Sequence, residues 1–112
     1  MTYETPLQIS AWHVETDKFR IRRLGKALEE LGELTSVLAR CIIQGVDEVD
    51  PSSGEVNRMR MQKEGADVYT QLAHLVDAFD LNQSDMLTRI GYKTDSMATW
   101  ERLLREEEDN DK

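Results

Sequence analysis

Cysteine occurs once in this chain, at Cys41, so an intrachain disulfide is excluded. A lone thiol on an apolar helix face fits a reducing, cytoplasmic setting. The two prolines fall at Pro6, suited to a first helical position, and at Pro51, inside the one clear loop. No apolar run approaches the roughly 20 residues of a membrane span. The N-terminus lacks a signal-peptide pattern. No stretch alternates polar and apolar residues long enough to propose a sheet, and there is no internal repeat. Cations are outnumbered, 14 Lys and Arg against 22 Asp and Glu, for a net charge of −8. That balance argues against a nucleic-acid polymer or an anionic membrane as the main partner. A small anion such as a nucleotide stays admissible, because a bound metal reverses the local sign. Zinc-ligand spacings, a phosphate-cradling glycine loop and a serine triad are all missing.

What is present is helical periodicity. At 112 residues the chain is expected to form one domain, 1–112, with a modest core of its own. Thr5 and Pro6 suit the start of a short helix carrying Leu7, Ala11, Val14 and Trp12. Thr16-Asp17 offers a second cap, followed by a long helix to about Gln44 that Gly45 stops. Residues 45–55, with Asp-Pro and Ser-Ser-Gly, read as a mobile loop. A third helix spans about Val56 to Asp80, with Met61, Val68, Leu72, Leu75 and Phe79 as its stripe. Asn82 or Ser84 caps a fourth, reaching about Glu106. Its seam is Met86, Ile90, Lys93, Met97, Trp100 and Leu104, with a lysine in the middle. Residues 106–112 form an acidic tail expected to fray. The fold class is all-α, a bundle of about four helices.

The chemistry concentrates in residues 26–34. On a 3.6-residue helix, Leu24, Ala27, Leu28, Leu31, Leu34, Leu38, Cys41 and Ile42 define one broad apolar arc. Glu30 falls inside its edge, between the directions of Val37 and Cys41, and Glu33 lies just beyond. An inward glutamate is costly unless a cation meets it. Glu64 and Asp67 form a second acidic pair, also at i,i+3, on the third helix. If the two long helices pack antiparallel, four carboxylates converge. Two like charges 4 Å apart repel by about 4 kcal/mol at an effective dielectric near 20. Such a group calls for a divalent cation, and all-oxygen ligands suit Mg²⁺ or Mn²⁺. Either pair can equally be a solvated helix face, so spacing alone leaves the two readings open.

Glu29-Glu30-Leu31-Gly32-Glu33 resembles the EExxE motif, and Glu64-Gly65-Ala66-Asp67 the ExxD motif, of MazG-like nucleoside triphosphate pyrophosphohydrolases. This all-α superfamily also holds dimeric dUTPases and phosphoribosyl-ATP pyrophosphohydrolase. The resemblance covers most of the chain and implies Mg²⁺-dependent hydrolysis between the α- and β-phosphates, giving a monophosphate and pyrophosphate. By matching positions it implies Glu30, Glu33, Glu64 and Asp67 as metal ligands. Glu29 is left as a further ligand, an orienter of water or a solvated residue. Lys93 is implied against substrate phosphates, beside the alternative of a seam lysine reaching water. Trp12 is implied at the nucleobase, beside the alternative of a core residue. His13 and His74 read as surface residues.

The family further implies a dimer or tetramer. The likeness to the phage branch called MazZ implies dGTP or GTP as substrate and, for a phage protein, the host cytoplasm. Within the family dUTP, dCTP or broad triphosphate cleavage are the alternatives. Two departures stand against the pattern: Gly91, where many relatives carry asparagine, and a slightly long gap between the motifs. A di-metal carboxylate oxidase needs Glu-x-x-His on two helices, and histidine is missing at both places. A small helical interaction protein with solvated acidic pairs is the non-enzymatic rival.

Overall fold

The structure, a computed structural model, describes residues 11–111, and they are helical in three stretches. These are α1 (Lys18–Gln44), α2 (Asn57–Ala78) and α3 (Gln83–Asn110). They fall into two compact units, one ending at Ala78 and carrying α1 and α2, the other starting at Phe79 and carrying α3.

Helix α1 begins and ends where its caps lie. The Asp17 carboxylate accepts from the Arg20 N–H at 2.9 Å, satisfying one of the free donors of the first turn. At the other end Gly45 donates to the Cys41 carbonyl at 3.0 Å with φ of 115°. A Cβ there would also meet the Glu48 side chain at 2.9 Å, so the position needs glycine twice over. Asn82 caps α3 in the same way, accepting from Asp85 N–H at 2.9 Å.

The loop read as mobile carries its own hydrogen-bond network between α1 and α2. Val49 and Val56 form an isolated antiparallel bridge. Buried Asp50 accepts from Gln44 Nε2 (3.0 Å) and Ser53 N–H (2.9 Å), with Arg60 at 3.6 Å. Asn57, fully buried, donates from Nδ2 to Gln44 Oε1 and to the Gly45 carbonyl, both at 3.0 Å. It also accepts from Arg60 at 3.3 Å. Arg58 closes the outside with a two-pronged ion pair to Asp47 at 2.7 and 3.1 Å.

The fold differs from the sequence-based expectation in three places. Three helices, not about four, occupy the described residues. The predicted cap at Thr5-Pro6 and the position of Leu7 lie outside them. Residues 11–17 are not helical. Trp12 and Val14 are exposed there, and a helix this short forms in water only when a packed face supports it. Secondly, α3 runs on to Asn110, through the predicted fraying tail. Good helix-forming glutamates and an Arg102–Glu106 pair at 2.8 Å support the added turn.

Thirdly, α1 does not bury the centre of its apolar arc against α2. Its buried seam is Ala27, Glu30, Val37 and Cys41, with Leu34 half-buried, a spacing of three and four throughout. Leu24, Leu28, Leu31, Leu38 and Ile42 are all exposed in the single chain, Leu28 by 68% and Ile42 by 86%. The helix pair therefore closes along the edge of the arc, where Glu30 sits. Among the described residues no helix is long and apolar enough to cross a membrane.

Candidate metal centre

The seam places Glu30 where an apolar residue would ordinarily be. One helical turn further along α1, Glu33 shares its face. From α2, Glu64 reaches the same spot. One carboxylate oxygen from each of Glu30, Glu33 and Glu64 lies within 4.8 Å of the others. Glu30 is buried (8% exposed), Glu64 is half-buried and Glu33 is open to solvent. The three form a graded well of negative charge, deepest at Glu30.

Two carboxylate oxygens of the trio are buried without a hydrogen-bond partner: Glu30 Oε2 and Glu64 Oε2. A buried carboxylate oxygen without a donor carries a desolvation cost of several kcal/mol per ion unless a cation or donor arrives. The effect is visible on Glu33. The neighbouring charge of Glu30 foremost, then loss of water, then the charge of Glu64, push its carboxyl above the ordinary glutamate value. The close approach of Glu64 and Glu30 adds to the same shift.

The other oxygen of Glu30 is accounted for. Lys26, one turn earlier on α1, approaches Glu30 Oε1 to 3.2 Å and Glu29 Oε1 to 3.3 Å. Hydrogen bonds to Glu30, then Glu29, hold the Lys26 ammonium above the usual lysine value. Glu29 itself is exposed and faces this lysine.

The remaining expected residues are placed as follows. Asp67 is exposed on α2, one turn after Glu64, and is not part of the converging trio. Lys93 is exposed on α3, beside an open hollow of about 330 Å³ that Arg89, Ile90, Thr94 and Met97 also line. Trp12 is 83% exposed in the non-helical segment before α1 and packs in no core. His13 is exposed. His74 is exposed too, with its Nδ1 at 3.0 Å from Arg23 Nη1. Sequence reasoning missed Lys26 as a partner of the site. The i,i+4 spacing of Lys26 to Glu30 was the available signal.

An all-oxygen donor set with two unpartnered buried oxygens fits a hard divalent cation such as Mg²⁺ or Mn²⁺. It does not fit zinc, whose sites favour nitrogen and sulfur, and no histidine or cysteine belongs to the trio. No family model, curated protein or solved structure matches this chain. Its chemistry rests on these residues themselves.

Proposed function

We propose that the chain is a Mg²⁺-dependent hydrolase of nucleoside triphosphates, cutting between the α- and β-phosphates to release monophosphate and pyrophosphate. One observation carries the reading: Glu30 and Glu64, on different helices, converge with Glu33, and each keeps one buried oxygen without a hydrogen-bond partner. Solvated acidic pairs would instead turn every oxygen to water. A Mg²⁺ ion held there supplies Lewis-acid stabilisation of phosphate oxygens and a lowered pKa for attacking water.

The residues have separable tasks under this proposal. Glu30 and Glu64 form the dry floor of the site, and Glu33 the open wall through which a triphosphate approaches. Asp67, one turn along α2 and outside the trio, is proposed as the fourth acid. Glu33, at the exposed side of the cluster, is suited to accept a proton from water during in-line attack. Glu29 holds Lys26 and is available to orient water. Trp12, exposed and aromatic, stacks on the base. Among substrates dGTP or GTP is proposed first, ahead of dUTP, dCTP or broad cleavage, in a cytoplasmic setting.

The exposed leucine face of α1 supports a further element of the proposal, a homodimer or homotetramer that covers Leu24, Leu28, Leu31 and Ile42. Sedimentation at micromolar concentration checks it, and a monomer would refute it.

The deciding assay is a panel of canonical nucleoside triphosphates with Mg²⁺ or Mn²⁺, scored for products. Monophosphate with pyrophosphate is expected. Diphosphate with orthophosphate would overturn the position of cleavage, and no turnover of any triphosphate would favour a non-enzymatic helical protein.

A further inference from the structure

The two oxygens of Glu30 have unequal surroundings. Oε1 lies 3.2 Å from the Lys26 ammonium, while Oε2 is buried and has no partner. Lys26 stands between an exposed carboxylate, Glu29, and the buried one, Glu30, on the same helix face. As a contribution to helix stability this arrangement is a poor one. Lysine placed N-terminal to glutamate at i,i+4 is the less favourable order, and a half-exposed ion pair is worth little. What the lysine does achieve is specific to Glu30: it neutralises one end of a carboxylate that burial would otherwise leave bare.

We infer that Lys26 is a positioning residue that reserves Glu30 Oε1, so that Glu30 offers an incoming divalent cation one oxygen rather than two. This rests on the metal reading of the Glu30, Glu33 and Glu64 cluster. The consequence is a site tuned for weaker binding and open coordination. A carboxylate able to grip with both oxygens fills two positions on the ion. One with an oxygen already claimed fills a single position and leaves room for water and phosphate oxygens. Lys26 also opposes the cation directly. A unit positive charge on one oxygen of a carboxylate, screened nearly as in water, weakens a divalent ion on the other by roughly five- to tenfold.

The test is Mn²⁺ binding to the full chain, followed by the electron paramagnetic resonance signal of free Mn²⁺, for wild type, Lys26→Met, Lys26→Arg and Glu30→Gln. Methionine keeps the apolar stem and removes the charge. Lys26→Met is expected to bind Mn²⁺ roughly five- to tenfold more tightly than wild type, and Lys26→Arg to stay within about twofold of it. A lysine that only props the fold predicts the opposite sign: unchanged or weaker Mn²⁺ binding in Lys26→Met, alongside a lowered melting temperature. That outcome, in a wild type whose binding is lost in Glu30→Gln, would overturn the role of Lys26 and leave the metal reading intact. Wild type that binds Mn²⁺ no better than Glu30→Gln would overturn both.

Discussion

Replacing Glu30 with glutamine should make the protein more stable without metal and less stable with it. Glu30 and Glu64 present oxygens no more than 4.8 Å apart. Two unit charges at that separation repel by about 3.5 kcal/mol at an effective dielectric near 20 and about 0.9 kcal/mol in water. The half-buried Glu64 and buried Glu30 lie between those limits, so roughly 2 kcal/mol is relieved in Glu30→Gln. Against this stands the pair with Lys26, whose half-exposed, solvent-screened ammonium offsets only part of the gain. The net is a gain of about 1 kcal/mol, or about 4 °C in melting temperature for a chain of this length. With Mg²⁺ the order reverses. At a hundredfold excess over its dissociation constant, a ligand that binds only the folded state adds about 2.7 kcal/mol, roughly 10 °C, and the variant should forfeit this. Thermal scans in chelator and in Mg²⁺ would therefore cross. A Glu30→Gln variant less stable than wild type in chelator, yet equally stabilised by Mg²⁺, would refute the account of strain relieved by a cation.

Two further predictions concern the connection between α1 and α2. Asn57→Ala removes two donated hydrogen bonds and one accepted from a fully buried position, and should cost about 2–3 kcal/mol by urea unfolding. Asp50 gives the acid dependence: hydrogen bonds from Gln44, then from Ser53, hold its carboxyl below the ordinary value of 3.8. The folded group thus binds its proton later than the unfolded one. Its stabilisation is complete above the unfolded pKa and is lost as pH falls through the lower, folded value. Asp50→Asn should flatten the acid limb of a stability–pH curve below about pH 4, and an unchanged limb would exclude the network as its source.

The parts of this fold that were legible from sequence are those set by neighbours along the chain. Asp17 and Gly45 announced the ends of α1 through local capping chemistry, and of the two caps offered for α3, Asn82 and Ser84, the structure uses Asn82. Glu30, Glu33 and Glu64 were legible for the same reason, since helical spacing placed each relative to an apolar stripe. Asp67 shares that spacing, but spacing only bounds direction, and the side chain is exposed outside the trio. The network around Asn57 was not legible. Gln44, Asp50, Asn57 and Arg60 are ordinary loop and surface residue types, and their mutual partners are chosen only when the chain reverses. The choice of seam was hidden for a related reason. An arc wide enough for two faces does not say which edge a neighbour will take, and α2 takes the acidic one.

The hydrogen-bonded turn has a metrical consequence for the acidic site. Gln44 and Asn57 are fastened to each other, so each arm of the hairpin has its origin at a common point. Glu33 lies eleven residues from that origin along α1 and Glu64 seven along α2, or roughly 16 and 10 Å of helix. Those lengths are counted in whole residues, and each residue carries about 100° of rotation. An insertion among Pro51–Gly54 would disturb the Ser53–Asp50 hydrogen bond but leave the Gln44–Asn57 bond, and with it the gauge, in place. A single residue added between Asn57 and Glu64 would swing Glu64 off the seam and dismantle the site, though both helices would still form. The loop is thus the zero mark from which the spacing of the carboxylates is measured.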